Sequence, residues 1–147
     1  MSRMQVSAVP AEHVRSIWPE VRPHMQKAAK YTYGRYEADD ILDLITDYGY
    51  QLWIAFDEGK IVKGAVVTGF NQYPRKKYLD LTFIGGDDGF SWKEPMLKLL
   101  QHWAYDTDCD GIESHGRAGW SRVFKDDGYK LLWQNYELPV ATSGLEG

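Results

Sequence analysis

The chain has 147 residues, a formal net charge of −4, 44% hydrophobic residues and a single cysteine. That length fits one ordinary domain with a core that needs no disulfide, and one cysteine excludes an internal disulfide and suits a reducing cytoplasm. The charges are interspersed, so the clustered basic face of a nucleic-acid binder is missing. No apolar run approaches the roughly 20 residues of a membrane-spanning helix, and the N-terminus lacks the apolar stretch of a secretion signal.

Met4 to Val9 alternates as a strand. Pro10-Ala11-Glu12 opens a helical stretch with Val14, Ile17, Trp18, Val21, Met25, Ala28 and Ala29 at helical spacing. Pro19 and Pro23 fall inside it, which predicts a kink or two helical pieces. A tyrosine-rich loop, Tyr31 to Tyr36, precedes a second helix from about Glu37 to Gly49 with Ile41, Leu44, Ile45 and Tyr48 as its apolar face. Three strands then follow at short spacing, Gln51 to Phe56, Ile61 to Phe70 and Lys77 to Ile84, an antiparallel meander. A long helix is predicted from Ser91 to Tyr105, with Trp92, Met96, Leu99, Leu100 and Trp103 as its buried stripe. A short strand over Gly111 to Ser114, a short helix over Trp120 to Lys125 and a last strand over Tyr129 to Leu138 complete the order. The predicted fold class is α/β, a mixed and mostly antiparallel sheet in the order β-α-α-β-β-β-α-β-α-β with helices on both faces. Residues 1–140 form one domain in this reading, and 141–147 a short flexible tail.

Leu97 to Ala104 followed by Asp110-Gly111-Ile112-Glu113, and the run from Gly116-Arg117-Ala118-Gly119-Trp120 to Gly128-Tyr129, resemble the third helix, fifth strand and fourth helix of the GNAT acetyltransferase family. The second run is similar to GNAT-like proteins of tailed bacteriophages. The resemblance implies transfer of an acyl group from acetyl-CoA to an amine of a protein or small molecule. It also implies a pyrophosphate cradle after the fourth strand, where backbone N–H groups and a helix N-terminus favour an anion. The positions matching that cradle are Phe83, Ile84, Gly85, Gly86, Gly89 and Ser91.

The sequence departs from the family pattern at three places. The loop from Gly85 to Trp92 lacks the family's arginine or glutamine, and it carries Asp87 and Asp88. Each like-charge pair with a pyrophosphate costs about 3–4 kcal/mol at roughly 4–6 Å and an effective dielectric near 20, before screening. Ser91-Trp92-Lys93-Glu94 reads as an S-x-x-E capping box that would occupy N–H donors at the helix start. Phe124 stands where many members carry a proton-donating tyrosine, and Arg117 stands where an asparagine often begins that helix.

Candidate general bases are Asp80 on the fourth strand, Glu113 on the fifth, and His115 just after it. Strict alternation puts Asp80, Thr82 and Ile84 on one face of the sheet and Leu79, Leu81 and Phe83 on the other. Asp106 to Gly111 matches the first six positions of a calcium loop, but Arg117 stands where the bidentate glutamate belongs, so no metal site is assigned. Two functions stay open. One is an acetyl-CoA-dependent N-acyltransferase. The other is a catalytically degenerate member acting through protein–protein contacts, a homo-oligomer or a phage virion or assembly component, with Tyr31, Tyr33, Tyr36, Tyr48 and Tyr50 as an interface patch. The corresponding location is the cytoplasm, or the host cytoplasm or virion for a phage protein.

Overall fold

A computed structural model describes residues 4–87, 91–114, 130, 132 and 136–140. The chain divides into two compact units, Met1–His115 and Gly116–Gly147. In the first, the elements run β1 (Gln5–Val9), α1 (Ala11–Ala29), α2 (Ala38–Tyr48), β2 (Gln51–Phe56), β3 (Val62–Gln72), β4 (Lys77–Gly86), α3 (Lys93–Asp106) and β5 (Gly111–Glu113). The predicted helix over 120–125 lies outside the described residues, as does most of the predicted last strand. Lys130, Leu132 and 136–138, which fall in that stretch and are described, carry no strand assignment.

The sheet order is β1-β2-β3-β4-β5, antiparallel up to β4, with β5 parallel to it. The first helix is not split into two pieces. α1 is one 19-residue helix with both prolines inside. Pro19 and Pro23 are exposed, so they lie on the outer side, where water can satisfy the carbonyls of Arg15 and Pro19 that the missing N–H groups leave over. The inner side buries Val14, Trp18, Val21, Met25 and Ala28. α2 ends at Gly49 in the left-handed region, φ 74°. Its Ile41 and Ile45 are buried, but Tyr48, predicted on the apolar face, is 73% exposed.

One core joins α1 and α2 to Leu52, Ile54, Ala65, Val67 and Phe83 of the sheet. α3 covers the opposite face, where Trp103 meets Trp53 edge-on with ring centroids 5.9 Å apart. Its buried residues are Met96, Leu97, Leu100 and Ala104, with Leu99 and Trp103 only partly covered. The predicted capping box does not form. The helix begins at Lys93, Trp92 is its N-cap with no side-chain cap hydrogen bond of its own, and the Met96 N–H donates to Trp92 O. Tertiary packing overrides the local motif. The Trp92 indole is 2% exposed and lies against Gly64 and Gly86, where an added Cβ would come within 2.3 and 2.6 Å of it. Pro95 in the first turn has no N–H to cap.

The alternation assumed along the fourth strand fails at one residue. Val67 pairs with Phe83 but Thr68 pairs with Leu81, so Thr82 is an extra residue in a β-bulge. An extra residue reverses the parity beyond it. Asp80 therefore shares the α1–α2 face with Phe83, while Ile84, Leu79 and Leu81 lie on the α3 face. The neighbours agree with this assignment. Phe83 belongs to the α1–α2 core. Gly69, the register partner of Asp80, faces Tyr50, a residue that packs against that same core.

Candidate active site

Two carboxylates meet on the α1–α2 face. Asp80 of β4 and Glu113 of β5 are register partners in the parallel pair. Their backbones are therefore roughly 5 Å apart, with both side chains on one side of the pleat. Asp80 is only 9% exposed, and its Oδ2 accepts from the Thr82 hydroxyl at 3.0 Å. Glu113 Oε1 accepts from Tyr73 Oη at 2.6 Å and from Asn71 Nδ2 at 3.1 Å, and its Oε2 lies 3.1 Å from the same phenol.

Aromatic side chains surround the pair. Tyr78 precedes Asp80 by two residues on the same face, and its ring meets Tyr73 edge-on at 5.8 Å. Tyr36 meets Phe83 edge-on at 5.1 Å. The Tyr50 phenol is raised above its usual range, mainly by burial, then by the negative charge of Asp80 and by Tyr36. The Tyr73 phenol is pushed up to about 12, first by its hydrogen bond to Glu113, with burial and the charges of Glu113 and Asp80 acting in the same direction. Both effects favour neutral phenols, which remain hydrogen-bond donors at neutral pH.

The predicted bases therefore fare differently. Asp80 and Glu113 are brought together, and His115 lies outside the described residues. The five tyrosines expected in one patch separate. Tyr50 packs against the core and Tyr36, though 37% exposed, rests on Phe83, whereas Tyr31, Tyr33 and Tyr48 are 53, 83 and 73% exposed. Asn71 and Tyr73, between the second and third strands of the predicted meander, were not singled out in the sequence. The available signal was the β3–β4 register, which pairs Asn71 with Tyr78 and so carries the hairpin toward β5.

The end of β4 is the second part of the site. Pairing between β4 and β5 runs from Tyr78↔Gly111 to Asp80↔Glu113. The next link is a side-chain one, from the Ser114 hydroxyl to Leu81 O at 3.2 Å. Among the described residues, the β4 edge from Thr82 to Gly86 has no strand on the β5 side. Phe83 is buried and Ile84 is partly covered, so both contribute backbone rather than polar side chains there. Gly85 is pressed by α1, since a Cβ there would sit 2.1 Å from His24 O.

Asp87 does not stand as an uncompensated charge. Lys27 of α1 pairs with it, and this hydrogen bond is the main reason its carboxyl falls below the usual range. The charges of Lys27, His24 and Lys63 also lower it, and burial opposes the shift. Its N–H donates to Lys63 O at 2.7 Å. Two of the departures from the family pattern are thereby reduced, because Asp87 is offset and Ser91 does not cap α3. Gly89, Asp88, Arg117 and Phe124 lie outside the described residues. The acidic turn before β5 is structural. Asp110 accepts from the Lys77 N–H at 2.9 Å and returns its own N–H to Lys77 O at 2.7 Å. Among the described residues no helix is long and apolar enough to cross a membrane.

No protein-family model matches the chain, and no curated protein does. Solved structures do resemble it. A ribosomal-protein-alanine N-acetyltransferase from Brucella melitensis superposes with a TM-score of 0.69 at 11% identity, covering 94% of this chain and 100% of that one. A GNAT family acetyltransferase from Staphylococcus aureus gives 0.66 at 9% identity, over 95% and 100%. An aminoglycoside N-acetyltransferase in complex with CoA gives 0.66 at 14% identity, over 95% and 96%. Identities this low speak to architecture alone, and the architecture is that of the GNAT acetyltransferases, a mostly antiparallel five-stranded sheet between helices.

Proposed function

We propose that the protein is an N-acyltransferase that moves an acyl group from acyl-CoA, acetyl-CoA in the simplest case, to an amine. The observation that carries this is the register pairing of Asp80 with Glu113 on the α1–α2 face, where pairing between β4 and β5 ends. In a GNAT fold this pair stands beside a β4 edge, Thr82 to Gly86, that no described strand covers and that suits an extended acyl carrier. Phe83, Ile84, Gly85 and Gly86 would meet that carrier with their backbone, and Ser91 and the α3 N-terminus would lie toward its phosphates. The carrier is a substrate and supplies the acyl group.

The chain's own contribution is to bind the amine and remove its protons. The amine nitrogen attacks the thioester carbonyl, the C–N bond forms, and the C–S bond breaks. Coenzyme A leaves as the thiolate, which the second amine proton neutralises. Of the two protons that an ammonium must lose, Asp80 takes the first, and the second leaves as the amide forms.

Calorimetric titration with acetyl-CoA at about 100 mM salt, followed by a thiol-release assay over an amine panel, tests this. Micromolar binding together with amine-dependent thiol release is expected. No heat up to millimolar ligand overturns it.

One observation supports a second reading. Tyr31, Tyr33 and Tyr48 are exposed on the α1–α2 side, and exposed tyrosines are good interface anchors. A protein-binding role, in an oligomer or a virion-type assembly, predicts a defined mass above the monomer by light scattering and no response to acetyl-CoA.

A further inference from the structure

Glu113 closes a strand of only three residues and would be poorly placed if nothing held it. It is held from the β3–β4 hairpin. Tyr73 Oη and Asn71 Nδ2 converge on Oε1, leaving Oε2 with only the longer share of the phenol hydrogen bond. Tyr73 is itself fixed. Its N–H donates to Lys76 O at 2.7 Å, its carbonyl accepts from Gln72 Nε2 at 2.9 Å, and its ring rests on Tyr78.

Both groups that hold Glu113 are neutral, and among the described residues no lysine or arginine forms an ion pair with it. A carboxylate that needed only burial could be satisfied by a cation. One held by an amide and a phenol keeps its negative charge for something else, and aromatic faces beside it favour an ammonium group.

We propose that Tyr73 is a positioning residue that aims Glu113 at the ammonium group of the acceptor, so that the protein selects a cationic alkylamine and delivers it to Asp80. The inference rests on the acyl-transfer reading for its purpose but not for its measurement. Glu113 binds the cation through Oε2, and Asp80, its neighbour across the strand pair, takes the proton. Tyr73 acts only through Glu113.

The test uses the full chain and 1,4-diaminobutane as probe, with the neutral diol of the same length as control. Binding is followed by NMR in the absence of any acyl donor. The wild type is expected to bind the diamine and not the diol. Tyr73→Phe is expected to weaken diamine binding about tenfold, the scale of an orienting hydrogen bond to a charged group. Glu113→Gln should weaken it at least as much, and the double variant should be no worse than Glu113→Gln alone, since Tyr73 has no second route to the ligand.

In turnover, Tyr73→Phe should raise KM for the diamine with kcat and the acetyl-CoA KM unchanged. Equal binding by wild type and Tyr73→Phe, additive losses in the double variant, or equal affinity for diol and diamine would each overturn the inference. Diamine binding without acetyl-CoA binding would overturn the acyl-transfer reading and leave the positioning role standing. If Tyr73→Phe loses the wild-type amide spectrum, Asn71→Ala, which removes the other hydrogen bond to the same oxygen, is read by the same criteria.

Discussion

Gly85→Ala should destabilise the protein far more than its single methyl suggests. The added Cβ would lie 2.1 Å from His24 O and 2.9 Å from His24 C. Both atoms are helix backbone, so no side chain can swing aside. Reaching ordinary contact near 3.4 Å requires α1 to retreat by about 1.3 Å. Overpacking of this kind costs about 1–3 kcal/mol. The retreat also strains the hydrogen bond between buried His24 Nε2 and Val62 O, now 3.0 Å. Losing it adds about 1–3 kcal/mol, because the ring nitrogen would be left unpaired in the core. The total is about 4 kcal/mol, a large part of the roughly 5–15 kcal/mol that holds a domain together. Urea unfolding followed by tryptophan fluorescence should show the midpoint falling by about 2 M for a slope near 2 kcal/mol/M. Gly59→Ala is the control. It sits in a turn with only Asp57 Oδ1 at 3.4 Å, and it shares the same reduction in unfolded-chain entropy. A Gly85→Ala midpoint indistinguishable from the Gly59→Ala midpoint would refute the close approach of α1 to β4.

Three further outcomes follow from other contacts. Thr68→Val should cost about 1–3 kcal/mol by urea unfolding, because the buried Trp53 Nε1–H loses its acceptor at 2.9 Å, and adding Trp53→Phe should cost less than the sum of the two single changes. Lys27→Met should cost no more than about 1 kcal/mol at neutral pH, since both ends of its pair with Asp87 are partly exposed. The folded-state value of Asp87 lies below the usual 3.8, so that contribution is present above 3.8 and disappears as the pH falls below it. Wild-type and variant stability curves should converge in acid. Tyr73 works in the opposite sense. Its raised value means a contribution present below pH 10 and lost as the pH rises through about 12, so Tyr73→Phe should remove that part of the alkaline destabilisation, and Glu113→Gln should bring the Tyr73 titration seen by NMR back toward 10.

Much of the architecture was legible because periodicity reports burial directly. Gln51 to Phe56 was read with its observed bounds, and the second helix within a residue at each end, because the β-branched and aromatic runs are bounded by Gly49, Gly59 and the hairpin Pro74. The misses lie where long-range contact overrides local chemistry. Nothing near Pro19 and Pro23 says that their freed carbonyls would face water and leave α1 unbroken. The S-x-x-E at Ser91 is a sound local signal, yet the apolar area of Trp92 outweighs a cap worth about 1 kcal/mol. Asp80 and Glu113 were singled out as carboxylates on strands, and the register pairs them. Tyr73 and Lys27 were not, because each acts on a partner, Glu113 and Asp87, that lies 40 and 60 residues away in the chain.

The bulge at Thr82 links these levels. Leu79 to Ile84 gives no glycine or proline to mark an extra residue, so a regular strand is the natural expectation. In a regular strand Phe83 and Asp80 would point to opposite faces. Phe83 must enter the core under α1 and α2, so Asp80 would then lie toward α3, and Leu79 and Leu81 would turn to the α1–α2 face with Phe83. One extra residue lets β4 supply both the core aromatic and the carboxylate to a single face. It also bends the strand where its pairing with β5 stops. The same residue contributes its hydroxyl to Asp80 Oδ2. The irregularity therefore sets three things together: the face on which the two carboxylates meet, the stretch of β4 beside them that no described strand covers, and part of the polar support of the buried one. A sheet without it would have the same element order but would not bring Asp80 and Glu113 to one face with Phe83.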